Sequence, residues 1–247
     1  MKGLLVPAAI IILAELAARL FGIESDSLAA PSQAVAALWS GLADGSLVAS
    51  TAETLGAAIA GLTLGAGFGL LIAAVVGLSR PAARLLWLPI EFLRPIPSVA
   101  LLPVALLVFG FGFRLEVSVV AFACFWPVVI FGGAAVAQVE PQLIEVARIL
   151  RLTWPATVVK IVLPAALPRL FVALRLAAGV ALIVAVTVEI ALNPIGLGFA
   201  MIQAQQMMRP AAMFAVLIWV GVLGWGLNRL LLLAQHRLFG RAATATR

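Results

Sequence analysis

The sequence predicts an all-α polytopic membrane protein with six transmembrane helices, and three observations carry that prediction. First, 64% of its 247 residues are apolar and only 11% are charged, whereas a soluble domain is about 45–50% apolar and about 25% charged. So few polar residues could not cover a water-facing surface. Second, the apolar residues gather into runs of the length that a bilayer core requires, roughly 20 residues for about 30 Å. Third, the 16 Lys and Arg fall unevenly on the two sides of those runs.

The first span is expected from about Leu4 to Leu20. Lys2 before an apolar run with small residues resembles a secretory signal, but Glu15 interrupts the run and further spans follow, so an uncleaved first helix is expected. Between Glu24 and Ser50, the start signal Pro31-Ser32 and the spacing of Ala34-Val35 and Leu38-Trp39 predict a short amphipathic helix on one membrane face. The second span covers about Leu55 to Leu78, where Gly61, Gly65 and Gly69 recur at four-residue spacing, with Gly56 ahead and Gly67 between. Such a stripe lets a neighbouring backbone approach closely. The third, about Leu85 to Phe111, is interrupted by Pro89, Pro95, Pro97 and Pro103. The fourth covers about Leu115 to Val136, the fifth about Leu167 to Leu192 and the sixth about Ala212 to Leu233.

Charge then sets orientation. Twelve cations (Lys2, Arg80, Arg84, Arg148, Arg151, Lys160, Arg169, Arg175, Arg229, Arg237, Arg241 and Arg247) fall on one side, against Arg19, Arg114 and Arg209 on the other. Both termini and the loop at about residues 139–168 are therefore expected in the cytoplasm. The net charge of +6 marks that inner face. It forms no basic stripe with interleaved aromatics, so nucleic-acid binding is not expected.

Several chemistries are excluded. One cysteine, Cys124, allows no disulfide within the chain, and its apolar surroundings argue against a reactive thiol. One histidine, His236, builds no metal cluster. There is no Ser/His/Asp set, no Cys/His pair and no GxxxxGK[ST] phosphate loop, so the chain reads as neither an enzyme nor an ATP-binding protein by that device.

The loop of about 139–168 is the most informative stretch. Leu143, Ala147 and Leu150 share a helical face, and Thr153 stands where it could cap a second short helix with Pro155 in its first turn. Long loops with their own pattern are usually functional. Two short helices outside the membrane suit either docking to a soluble partner or lying in the headgroup layer.

Here the sequence resembles a known family. Glu145, Ala147, Ile161, Leu163 and Pro164 match the EAA motif (EAA-x3-G-x9-I-x-L-P) of ABC-importer permease subunits, with Val146 for the second motif residue and Arg151 in place of the motif glycine. At Arg151, either the turn uses ordinary backbone angles or the side chain makes a partner contact of its own. Arg94-Pro95-Ile96-Pro97, Leu101-Leu102-Pro103, Phe109-Gly110-Phe111-Gly112, Glu189 and Gly196-Leu197-Gly198-Phe199 look like the nitrate/sulfonate/taurine branch.

The resemblance implies a single permease domain over 1–247, of type I ABC-importer fold, in the bacterial inner membrane. It implies a dimer of permease subunits (a homodimer), two cytoplasmic ATPases that carry the ATP and Mg, a periplasmic binding protein, and surrounding lipid. No cofactor is expected on this chain. The substrate expected is a small anion of sulfonate, nitrate or taurine type, although similar sequences also carry neutral solutes. Glu145, Val146, Ala147, Arg148, Arg151, Thr153, Leu163 and Pro164 are the expected ATPase-coupling residues.

Arg94, Pro95, Pro97, Glu189 and Asn193 are the expected residues of the path and gate. Proline frees backbone carbonyls, which a membrane tolerates only beside protein or a wet cavity. Arg94 then either guides an anion or pairs with Glu91 three residues earlier. Glu189 is expected to fix a gate by hydrogen bonds, to contact the binding protein or to reach the interface. The competing function is a stand-alone secondary transporter or channel, for which Glu15, Glu53, Glu91, Arg94 and Glu189 are too scattered to form a relay.

Overall fold

The structure, a computed structural model, describes residues 5–20 and 28–240. Lys2, Arg241 and Arg247 of the charge tally, and Glu24 and Asp26, lie outside the described residues. Every regular element described is a helix: α1 Leu5–Leu20, α2 Pro31–Ala43, α3 Ser46–Leu78, α4 Arg80–Leu93, a 3-10 turn Ser98–Leu101, α5 Leu102–Phe109, α6 Phe113–Ala137, α7 Pro141–Ile149, α8 Trp154–Thr157, a π turn Val158–Val162, α9 Leu163–Ala191, α10 Gly196–Gln206 and α11 Pro210–Phe239.

Among these, four helices are long and apolar enough to cross a membrane: Ser46–Leu78, Phe113–Ala137, Trp154–Ala191 and Pro210–Phe239. A fifth span exists if Arg80–Leu93 and Ser98–Phe109, bent by 79°, count as one. The described part of α1 has 16 residues, about 24 Å at the α-helical rise, short of a full crossing. The expected count of six is therefore met only in part. The second span is longer than its apolar run suggested: α3 begins at Ser46 rather than near Leu55. It starts there because Gly45 turns the chain at φ +80 and the Asp44 carboxylate accepts the Ser46 amide at 2.9 Å.

The chain forms two compact units. The first takes the described residues of 1–56 and 186–225. In it, Glu15 of α1 accepts both the backbone amide and the hydroxyl of Ser32 and also pairs with Arg19 at 2.7 Å. The predicted helix at Pro31 forms, with Pro31 in its first turn and Gln33 reaching back to the Ala30 amide. Its core joins Leu47, Leu197 and Val216, flanked by Leu38, Leu42 and Trp219.

The second unit takes 57–185 and the described residues of 226–247. The glycine stripe of α3 lies on α6. A Cβ at Gly61 would meet Val120, one at Gly65 the Ala121 carbonyl, one at Gly69 Val128 and Phe125, and one at Gly77 Val136. Gly67, off the stripe, faces nothing within 4 Å. Close approach of two backbones is what small residues offer where water supplies no hydrophobic drive between helices. Cys124 is buried, and its thiol donates to the Ala177 carbonyl at 3.3 Å. It serves as a small packing residue between α6 and α9.

Proline and glycine shape the third span as their positions require. Pro89 lies inside α4, and Pro95 and Pro97 prevent its continuation past Arg94. Pro103 starts α5, and Gly110 at φ +70 and Gly112 at φ +103 turn the chain into α6.

Candidate functional site

Two places gather the expected functional residues. In the second unit, α7 opens at Pro141 and carries Glu145, Val146 and Arg148 exposed. Ala147 turns inward and is only 2% exposed. With Ile144 it lines a cavity of about 450 Å³ beneath the loop, walled also by Leu78, Val139, Leu152 and Val158. Ile144 packs on the cluster of Ala135, Val136, Val162, Ala166 and Leu170. Leu150 does not share the inward face expected for it. It is 62% exposed, beside Ile149 at 79% and Trp154 at 65%. Helix α7 is thus apolar on two sides, one seated on its own chain and one open.

The helix ends in a complete Schellman turn. The Leu152 amide donates to the Ala147 carbonyl and the Arg151 amide to the Arg148 carbonyl, both at 3.0 Å. Arg151 occupies the left-handed position of that turn at φ 49. The alternative of ordinary backbone angles at Arg151 is thereby overturned: the turn demands left-handed geometry, and arginine adopts it.

Two further expectations change. Thr153 holds the N-cap position, but its side chain caps nothing; its carbonyl accepts the Thr157 amide at 2.9 Å. The second short helix is not separate either. Trp154 begins a 38-residue helix that runs to Ala191 through the π turn. Leu163 and Pro164 are exposed on it.

The other place is in the first unit, where α10 begins. Its N-cap residue, Ile195, supplies no side-chain hydrogen bond, and a helix N-terminus leaves its first amides without intrahelical acceptors. Three side chains from elsewhere answer them. The Gly196 amide donates to Glu53 Oε2 at 2.9 Å, the Leu197 amide to Thr54 Oγ1 at 2.9 Å and the Gly198 amide to Glu189 Oε2 at 2.8 Å. Thr54 in turn donates to Glu189 Oε1 at 2.7 Å. Both Glu189 oxygens therefore accept, which suits a carboxylate, and the positive end of α10 favours it.

Glu189 is 1% exposed, and Asn193 and Thr54 are fully buried. The two glycines are required by space. A Cβ on Gly196, which also has φ +87, would strike the Glu189 carboxylate, and one on Gly198 would strike the Val186 carbonyl and Glu189 Cβ. Nearby, Trp219 Nε1 donates to Thr51 Oγ1 at 2.8 Å.

Of the expected path residues, Glu189 and Asn193 are therefore interior groups. Reaching the interface, one alternative for Glu189, does not occur. Arg94 is the C-cap of α4 and pairs with Glu91 at 3.4 Å, each side chain about half exposed (45% and 48%). Pro95 and Pro97 are exposed beside it. Sequence reasoning missed α10 and the capping roles of Glu53 and Thr54. The available signal was Thr51, Glu53 and Thr54 clustered at the polar start of an apolar span.

These features describe a helical membrane protein with a structured loop between two spans and a short helix inserted between its last two. The comparisons make the class specific. The chain belongs to the family of binding-protein-dependent transport system inner membrane components, whose model matches residues 65–243. It is 32% identical over 224 residues to the putative aliphatic sulfonates transport permease protein SsuC of Bacillus subtilis, covering 91% of this chain and 81% of that one. It is 32% identical over 170 residues to the bicarbonate transport system permease protein CmpB of Synechococcus elongatus, covering 68% and 61%. Among solved structures, an inward-facing form of the MetNI methionine ABC transporter matches with a TM-score of 0.68 and 23% identity over 81% of this chain and 97% of that one, a likeness of fold.

The protein is thus a multi-pass membrane permease subunit of an ABC importer. ATP hydrolysis belongs to a separate ATPase subunit, and a substrate-binding protein completes the transporter.

Proposed function

We propose that this permease forms the membrane path for a small oxyanion and couples it to ATP, bound with Mg on the partner ATPase, through the Pro141–Ile149 helix. The single observation that carries the coupling reading is the open apolar side of that loop. Ile149 at the end of that helix, Leu150 at its C-cap and Trp154 at the start of the next helix are largely exposed, while Ile144 and Ala147 on the other side of α7 are seated on their own chain. Glu145, Val146, Arg148 and Arg151 flank that side, and Leu163 and Pro164 stand exposed at the start of α9. Ala147 supports them from beneath. The whole chain, 1–247, acts as one permease domain, paired with a second copy in the bilayer, with both termini in the cytoplasm.

The oxyanion reading is supported by the named solutes of two relatives, aliphatic sulfonates and bicarbonate; Arg94 is paired with Glu91 at 3.4 Å but remains about half exposed, open to a solute anion as well. Glu189 serves as an interior positioning group that fixes α10, and Asn193 is likewise buried; neither serves as a contact for the solute.

The test is reconstitution of the permease with its ATPase and binding protein in vesicles. Val146→Asp together with Ile149→Asp is expected to abolish ATPase co-purification and uptake while the permease stays folded. Retained co-purification would refute the coupling reading. Uptake of a labelled sulfonate that other small anions fail to inhibit, and that Arg94→Gln leaves intact, would refute the role of Arg94.

A further inference from the structure

Arg151 stands where glycine is the least costly residue. Its φ of 49 is left-handed, a conformation in which the Cβ of an L-residue crowds the following carbonyl oxygen. Both Schellman hydrogen bonds at the corner are made by backbone groups, so glycine would make them equally well. Within the chain the side chain returns nothing. It is exposed, and the ion pairs among the described residues, Arg19 with Glu15 and Arg94 with Glu91, do not include it. A residue held in a rare conformation without local benefit points to a use outside the chain.

The surroundings indicate what that use is. Ile149, Leu150 and Trp154 expose most of their surface next to Arg151. Arginine and tryptophan ringed by aliphatic groups are the side chains that dominate protein interfaces. Residues 145–162 also hold three cations, Arg148, Arg151 and Lys160, against one acidic residue, Glu145. A corner with that charge favours an acidic counter-surface. An anionic headgroup layer would also attract these cations, but that attraction sums over charges without regard to their exact placement. It gives no reason to hold one guanidinium on a strained corner of fixed geometry.

We propose that Arg151 is the charged anchor of the ATPase interface: its guanidinium makes a paired hydrogen bond to a carboxylate of the ATPase surface, inside a rim formed by Ile149, Leu150 and Trp154. This rests on the coupling reading above and adds a named contact to it. A planar guanidinium grips a carboxylate with two parallel bonds, which the ammonium of lysine cannot reproduce.

The experiment compares wild type, Arg151→Gly, Arg151→Lys and Ile149→Asp/Leu150→Asp in the full complex. It measures ATPase affinity by titration onto the detergent-solubilised permease, and the thermal midpoint of the permease alone. Arg151→Gly is expected to raise or keep the midpoint while weakening ATPase binding at least tenfold, and Arg151→Lys to fall between it and wild type. ATPase affinity within twofold of wild type for Arg151→Gly overturns the proposal, as does a lowered midpoint, which would mark the residue as structural. A loss seen only in vesicles, and graded by their anionic lipid content, assigns Arg151 to the headgroup layer and also overturns it. If Ile149→Asp/Leu150→Asp binds the ATPase normally, the coupling reading itself fails. If that variant loses binding while Arg151→Gly does not, only the anchor fails.

Discussion

The start of α10 and the loop around α7 are opposite solutions to the same need, the placement of polar groups in an apolar protein. At α10 the polar groups are closed on one another. Each of three first-turn amides meets a side-chain oxygen, and Glu189 is 1% exposed. At α7 the backbone is satisfied by its Schellman turn, but the side chains of Ile149, Leu150 and Arg151 remain open. A buried polar group must find its partner within the chain, because leaving it unmet costs its full desolvation. An exposed side chain can wait for a partner. The closed region is therefore suited to hold geometry, and the open region to meet a partner.

That contrast can be broken most sharply at Glu189. Glu189→Ala removes the acceptor of both the Gly198 amide and the Thr54 hydroxyl. At about 1.5–3 kcal/mol per hydrogen bond to a charged group, a loss of about 3–6 kcal/mol is expected, read as a large fall in thermal midpoint in detergent. Glu189→Gln should lose about half of that, because one of its two acceptors becomes a donor. A midpoint unchanged in both variants would show that α10 is held by packing alone.

The next effect is expected on the glycine stripe. Gly65→Ala places a methyl on the Ala121 carbonyl of α6, and overpacking of this kind costs about 1–3 kcal/mol. Gly67→Ala, facing nothing within 4 Å, is the matched control and should be neutral or slightly stabilising. Equal midpoints for the two variants would refute the close approach of α3 and α6.

At the open loop, Leu150→Ser should leave stability within about 0.5 kcal/mol, as exposed substitutions usually do, while reducing ATPase co-purification. A clear fall in midpoint would mean that the loop, like α10, is closed on its own chain.

The smallest effect is at the turn before α3. The Ser46 amide, and then its hydroxyl, hold the Asp44 carboxyl below its ordinary value of 3.8. A depressed folded-state value contributes stability that is present above the unfolded value and lost as the pH falls through the folded one. The contribution of Asp44 should therefore fade only below about pH 4. Asp44→Asn should flatten that acid limb slightly, which acid titration of the midpoint would detect.

Much of this could be read without coordinates. Most spans follow from apolar length, α2 from Pro31-Ser32, and a close-packing face on α3 from the four-residue spacing of Gly61, Gly65 and Gly69, though not α6 as its partner, because each depends on neighbours along one helix. Helix α10 was not legible. Its N-terminus has no local cap, and the groups that complete it, Glu53 and Thr54, lie 143 residues earlier in the chain. The loop was half legible. Its helix arises locally and was read, but the left-handed angle at Arg151 was left open, and Ala147 facing inward while Leu150 faces out depends on where α7 rests against Val136, Val162 and Leu170.

The sequence by itself determined what repeats along the chain: an apolar share that demands lipid, the positions of the main spans, and the helical pattern of the loop at about residues 139–168. Tertiary structure alone decided which polar residues are closed and which are open. Burial of a carboxylate or exposure of a leucine depends on groups far away in sequence, and a helical pattern carries no record of them. Glu189 and Arg151 are both charges in an apolar chain. Only the fold shows that one is answered by Thr54 and Gly198, and that the other stands open on a corner glycine would adopt more cheaply.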